Sequence, residues 1–374
     1  MRNLLMNVLG SVSMSNAIYI HVPFCDSICA YCDFERCKRH PLLTSKWLNV
    51  IIKEIQNRKD EPIQTLYIGG GTPTSLTYDE LNQLLSACDV FDPVEYTIEA
   101  NIENLTKDKI MLLRQHGVNR ISLGVQSLNQ SLIKLIERHH NAVEIFSKID
   151  EIYECGIVNI SVDMIYGLPT QSLDVWLADL KQIAMNEKIS HVSIYSLTIE
   201  ENSAFGRRKI EKVSDELDEQ MYFEGIRVLE AYGFEQYEIS NFARQGKYSR
   251  HNCAYWEYED FIGIGVGAYG KENHIYYHWP FQLNDYIKGE LKKEETKLTK
   301  EDEMFETIMM GLRMKKGVSI EKFNDYFHED LREVFHDPIE KHIKNNHLEI
   351  IDQHLRCTSK GWGILNSILI DFME

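Results

Sequence analysis

The 374-residue sequence contains no apolar run near the length of about 20 residues that a membrane-spanning helix needs, which argues against an integral membrane segment. Basic residues are also scarce: 40 Lys and Arg stand against 57 Asp and Glu. The resulting formal net charge of −17 repels nucleic acid and anionic membrane surfaces, and no local basic patch stands out to offset it. A disulfide framework is missing too, since Cys88, Cys155, Cys253 and Cys357 each stand alone. These absences lead to the expectation of a reduced, cytoplasmic setting with no nucleic-acid partner. Residues 1–16 carry one Arg and a weak apolar run interrupted by Asn7 and serines. They are expected to be a disordered extension rather than a signal peptide, with Met6 and Met14 as alternative starts.

The remaining cysteines are crowded. Residues 17–37 read AIYIHVPFCDSICAYCDFERC, where a β-branched run breaks at Pro23 and Cys25, Cys29 and Cys32 follow on one short loop. Soft thiolates suit iron–sulfur assemblies, and three of them so close together can hold three corners of a [4Fe–4S] cube. The fourth iron is then left for a small ligand with an amine and a carboxylate, and S-adenosylmethionine (SAM) is such a ligand. The rival is zinc, with Cys37, His21 or His40 as fourth donor, although zinc sites usually arrive as two CxxC-type pairs set further apart. The pattern CxxxCxxC with Tyr31 before its third cysteine resembles that of radical SAM proteins. The fuller string YIHVPFC…CAYCDF is similar to the branch that holds oxygen-independent coproporphyrinogen III oxidases and related heme chaperones.

Along the chain, apolar residues at helical spacing (Leu43, Trp47, Val50, Ile51, Ile55) precede a strand at 65–68 that ends in Gly69-Gly70-Gly71-Thr72-Pro73. Thr77 and Glu80 form a capping box for the next helix. Strands are expected near 95–100, 120–125, 159–166 and 191–197, with helices between them that stop before Gly117 and Gly156. Repeated strand–helix units imply a parallel α/β sheet, open or curled. Cys25, Gly70, Glu99, Gln126, Asp163 and Ser196 fall at or just past successive strand ends, where a barrel gathers them at one mouth. The resemblance implies the same: a partial six-stranded (β/α) radical SAM barrel, here over 17–232. A Gly- and aromatic-rich segment over 233–290 follows, with a strand at 236–239. The charged stretch KGELKKEETKLTKEDE reads as a solvated connector. The last part, 299–374, reads as helices (304–314, 320–327, 331–343), a strand pair and a final helix, which together resemble a winged helix. On so acidic a chain it is expected to pack or to bind a partner rather than DNA.

The triple glycine lacks the Gly-Lys-Ser/Thr ending of a phosphate loop and offers bare carbonyls to an ammonium group. Glu99, Gln126 and Asp163 are polar residues in otherwise apolar strands, where a buried carboxylate needs donors such as ribose hydroxyls. Arg138 is suited to bidentate pairing with a carboxylate. The resemblance implies a SAM site made of Tyr19, Tyr31, Gly70, Gly71, Thr72, Glu99, Gln126, Arg138, Asp163 and Ser196. Gly265, Gly267 and Gly270 satisfy GxGxxG, but no helix is expected after them, so close packing is the better account.

His251-Asn252, followed by Tyr255-Trp256, gives the string HNxxYW, which looks like the mark of the heme-chaperone branch. His251 is then a candidate heme ligand, Tyr255 and Trp256 flat contacts to a porphyrin, and Cys253 a neighbouring thiol. The alternative is an oxidase that cleaves SAM reductively and decarboxylates propionate side chains. Those oxidases carry a fourth cysteine where this chain has Phe34, and a longer N-terminal segment. The resemblance therefore favours a heme chaperone that delivers heme to an acceptor protein, expected to belong to the respiratory chain.

Overall fold

The computed structural model describes residues 17–373, and the expectation for residues 1–16 lies outside them. Six parallel strands appear in chain order: β1 (Ala17–Val22), β2 (Thr65–Gly70), β3 (Glu95–Asn101), β4 (Arg120–Gln126), β5 (Asn159–Tyr166) and β6 (His191–Ser196). Each pairs with the next. Alternation along the strands sorts their side chains. Ile18, Ile20, Leu66, Ile68, Ile121, Leu123, Val162 and Met164 are fully buried on one face. Trp47, Leu84, Ile110, Ile149 and Leu180, from the helices between the strands, complete that core. The opposite face is polar and turned in upon itself. The Tyr19 ring lies 6.0 Å from that of Tyr67, whose hydroxyl donates to Glu99 at 2.9 Å, and the Ser122 hydroxyl donates to Asp163 at 3.0 Å.

The helices start and stop where local chemistry dictates. Helices Tyr78–Cys88 and Ala142–Glu154 open in capping boxes, Thr77 with Glu80 and Asn141 with Glu144. Gly117 and Gly156, at φ 82° and 91°, take the left-handed turns that end helices Lys107–Gln115 and Ala142–Glu154.

The sheet is larger than the six strands expected. Beyond β6 come β7 (Glu235–Gln236), β8 (Asn241–Ala243), β9 (Phe261–Ile264), β10 (Tyr269–Glu272), β11 (Ile275–His278) and β12 (Glu294–Lys297). The order is β12-β11-β10-β9-β1-β2-β3-β4-β5-β6-β8-β7. Among the described residues it has two ends, as a partial barrel does. β9 runs parallel to β1, so the parallel set has seven members. The strand expected at 236–239 is only β7, because the chain turns back at once into β8. The connector is partly structured: its segment β12 pairs antiparallel with β11 as a fully exposed, charged edge strand. After the GxGxxG glycines the chain continues into β10 and β11, with no helix.

The C-terminal part has its own core, which includes Ile308, Phe323, Leu331, Leu355 and Ile368. Helices Lys300–Gly311 and Ile320–Phe327 precede a three-stranded sheet built from Val318–Ser319, His354–Cys357 and Leu348–Ile351. The single helix expected over 331–343 is two, Leu331–Val334 and His336–Lys344. Pro338 forces the break, since it has no N–H for the Val334 carbonyl and its ring would clash there. Among the described residues no helix is long and apolar enough to cross a membrane.

Candidate cluster and nucleoside site

The cysteine loop hangs from the end of β1. Phe24–Cys25 pairs with Cys37–Lys38 as a two-residue parallel ladder that closes the base of the loop. Its middle is tethered as well: the Ala30 N–H donates to the Ile136 carbonyl at 3.1 Å, and the Ala30 carbonyl accepts from the Phe205 N–H at 2.9 Å. Cys25 is buried, while Cys29 and Cys32 are half-buried. Burial pushes the Cys25 thiol up to about 12 and raises that of Cys32; the charges of Cys32 and Cys29 add to the first and that of Cys29 to the second. The Thr72 hydroxyl donates to Cys25 Sγ at 3.4 Å.

Among the described residues no three His, Cys, Asp or Glu side chains converge closely enough to share a single metal ion. A four-iron cube makes a different demand, because it holds each thiolate on a separate corner. The donor set fits that group: three clustered soft sulfurs on one tethered loop. His21, one candidate fourth zinc ligand, is held at both nitrogens, Nε2 to the Glu35 carbonyl at 2.6 Å and Nδ1 to the Tyr19 hydroxyl at 3.1 Å. Burial lowers its pKa to about 4.

The glycine turn backs onto this loop. The amide hydrogens of Gly70, Gly71 and Thr72 are all spent inside the fold, on Glu99 Oε2 (3.1 Å), the Val22 carbonyl (2.7 Å) and the Phe24 carbonyl (2.8 Å). The turn has no N–H cradle to offer a phosphate, and an ammonium group needs only carbonyls. At Gly71 even a Cβ would come within 2.7 Å of the Phe24 carbonyl oxygen, so the close approach requires glycine.

Glu99 and Asp163 lie inside their strands, one layer below the mouth, rather than at the strand ends expected from the sequence. The strands end within one residue of the expected positions, so two residues of β3 follow Glu99 and three of β5 follow Asp163, and these carry both carboxylates below the mouth. Burial raises the Glu99 carboxyl to about 7, against the opposing hydrogen bonds from Tyr67 and Gly70. Burial likewise raises Asp163, opposed by Ser193 and Ser122. Gln126 closes β4 in a left-handed conformation (φ 70°) at a bulge, a strained position of the kind found at ligand sites.

Arg138 follows the helix Gln130–Leu135 rather than lying on it. It pairs bidentately with a carboxylate of the protein itself: Nε and Nη2 donate to Glu103 at 3.1 and 3.2 Å. Nη1 donates to Asn101 at 3.0 Å and reaches Cys29 Sγ at 4.0 Å. Tyr31 packs on a small apolar cluster with Leu132, Ile136, Leu168 and Leu197. Ser196 donates its hydroxyl to Asp218 at 2.9 Å, which leaves its backbone at the mouth of the barrel. Sequence reasoning missed Asn101 and Glu103, although both are polar residues just where β3 ends.

The HNxxYW residues are elsewhere. Helix Arg250–Trp256 sits under the N-terminal ends of the strands, at the opposite end of the barrel from the cysteines. The first residues of β2 and β3 bind it: Thr65 Oγ1 meets His251 Nδ1 at 2.8 Å, and Glu95 accepts the N–H groups of Arg250 and His251, each at 3.0 Å. His251 Nε2 meets the Tyr255 hydroxyl at 2.8 Å, and the imidazole stacks on Tyr67 at 5.0 Å. His251 is 1% exposed, and burial with the nearby Arg120 lowers its pKa to about 3. Both ring nitrogens are therefore occupied and the ring is neutral. Cys253 is half-buried and burial pushes its thiol up to about 12.

Comparison with known proteins agrees with this geometry. The model of the radical SAM superfamily matches residues 19–183, and that of the HemN C-terminal domain matches residues 298–364. The heme chaperone HemW of Lactococcus lactis is 34% identical over 369 residues, covering 96% of this chain and 97% of that protein. The protein of the same name from Escherichia coli is 30% identical, covering 96% of this chain and 98% of that one. In solved structures, the coproporphyrinogen III oxidase HemN of Escherichia coli shares the fold, with a TM-score of 0.84 at 22% identity over 96% of this chain and 90% of that one. With such identity sustained over nearly its whole length, the chain belongs to the HemW family of radical SAM proteins.

Proposed function

We propose that the chain is a cytoplasmic heme chaperone on a radical SAM scaffold, one that binds heme, a [4Fe–4S] cluster and SAM and passes heme to an acceptor protein. Cys25, Cys29 and Cys32 would hold the cluster. Bound there, it supplies an open iron for the amine and carboxylate of SAM and an electron for its sulfonium. The chain's own residues position the nucleoside: Glu99 accepts from the ribose hydroxyls beside Asp163, Tyr19 and Gln126 line the same mouth, and Tyr31 and the Ser196 backbone flank the adenine. Gly70, Gly71 and Thr72 face the methionine amine. Arg138, fixed by Glu103 and Asn101, directs its charge at the cluster loop.

The observation that carries the choice of chaperone over oxidase is Phe34. Where the oxidases of this branch have a fourth cysteine, the chain presents a phenyl ring that is 62% exposed. Anaerobically purified protein should therefore take up hemin with a Soret shift, and should form no vinyl product from coproporphyrinogen III with SAM and a reductant. Vinyl formation without hemin uptake would reverse the assignment.

The SAM pocket makes its own prediction. Ribose hydroxyls donate to an ionised Glu99, whose carboxyl sits at about 7 in the free protein. Below that pH binding must first expel a proton, so SAM affinity should rise between about pH 6 and about pH 8 and level off above. Glu99→Gln should flatten that slope and weaken SAM by about ten- to a hundredfold, the value of hydrogen bonds to a charged group, while leaving cluster absorption intact. Equilibrium dialysis of SAM against pH reads both, and a slope retained in the variant would remove Glu99 from the pocket.

A further inference from the structure

If the chain carries heme, the enclosed His251 is a poor place for it. Reaching that ring means breaking its bonds to Thr65 and Tyr255 and lifting the helix Arg250–Trp256 from the barrel floor. The last residue of the same helix faces elsewhere. Trp256 lines a cleft of about 690 Å³ between the barrel and the C-terminal part, a volume typical of small-molecule sites. From the far side the cleft is lined by Met314, Phe323, Tyr326, Phe327 and His354.

Three features of this cleft ask for a flat, apolar, metal-bearing ligand. Its lining joins Phe323 and Phe327 of the C-terminal core to Trp256 and Tyr258 from the barrel side, and Tyr326 among them is 51% exposed, a large ring left without full cover. Trp256 Nε1 is buried without a hydrogen-bond partner among the described residues, and the indole lines the cleft with the Arg313 guanidinium 5.7 Å from its ring centroid. His354 is the third. It follows a tight hairpin turn at Asp352 and Gln353, whose φ values are 49° and 60°. Its Nδ1 donates to the Asp352 carbonyl at 2.8 Å. That bond fixes the tautomer and leaves Nε2 with its lone pair, the arrangement by which proteins prepare a histidine for a metal. At the rim Lys322, its side chain 76% exposed, pairs with Glu257 at 3.4 Å and can turn to a propionate.

We propose that heme binds in this cleft, stacked against Trp256 with His354 Nε2 as an axial ligand. The proposal rests on the reading that the chain binds heme, and it replaces His251 as the ligand. His354 is the first residue of the strand His354–Cys357 and Tyr326 lies on an exposed helix face, and a thermal melt matching the parent's checks that alanine at either position leaves the fold intact. The test is a titration of the full-length protein with hemin, and separately with metal-free protoporphyrin IX, followed by Soret absorption and magnetic circular dichroism. The parent should bind hemin with a histidine-ligand signature and about tenfold more tightly than the free porphyrin. His354→Ala should lose that signature and that preference, and Tyr326→Ala should weaken both ligands alike. A His354→Ala protein with unchanged hemin affinity and spectrum would overturn this site while leaving the chaperone reading in place. No uptake of hemin by the parent would overturn that reading itself.

Discussion

Replacing Cys25, Cys29 or Cys32 by alanine should yield protein that reconstitutes without a four-iron cluster, losing both its iron–sulfur absorption and its EPR signal after reduction. Each thiolate supplies one corner of the cube, and His21 is not free to substitute, since it is bonded at both nitrogens. The chain should nevertheless stay folded. The loop is closed by the Phe24–Cys25 and Cys37–Lys38 ladder and pinned at Ala30, none of which needs metal. Cys37→Ala is the control: its backbone belongs to the ladder, and the variant should keep the full cluster. If Cys37→Ala abolished the cluster while Cys32→Ala retained it, the ligand assignment would be wrong.

The largest loss of stability should come from Trp47→Ala. Trp47, on helix Pro41–Gln56, is fully buried and meets Phe24 edge to face at 5.4 Å. Removing so large a ring from a core costs about 3–5 kcal/mol, because the surroundings collapse only partly into the space. That is a sizeable share of the about 5–15 kcal/mol that holds a typical domain together. The same change unseats Phe24, the residue directly before Cys25, so cluster loading should fall along with the urea midpoint. A midpoint within the error of the parent's would show that the ring is not part of the core.

How much of this was legible in the sequence depended on distance along the chain. The cysteine loop could be read because its residues are contiguous, and the capping box at Thr77 because a cap is a matter of four residues. Glu99 and Asp163 stood out as carboxylates in apolar strands. Their depth did not, since how far a side chain lies below the mouth depends on the register between neighbouring strands, which the sequence does not name. Strand Phe261–Ile264 went unseen because four residues beside glycines carry too little alternation, and its partner is β1, more than two hundred positions earlier. Glu103 was missed for a related reason: its value lies in holding Arg138, which no local pattern announces. The placement of His251 was the least legible of all, because its neighbour Thr65 is 186 residues away.

That distance sets an order of events during biosynthesis. β1 leaves the ribosome early, but one of its two sheet neighbours, β9, emerges only after some two-thirds of the chain has been made. Until then Thr65 and Glu95 lack the helix that covers them, and one edge of the first strand is unpaired. Loop closures this long are slow, and an unpaired edge invites other chains in the meantime. A fragment ending at Tyr232 would be left permanently in that unfinished condition, lacking both β9 and the helix Arg250–Trp256.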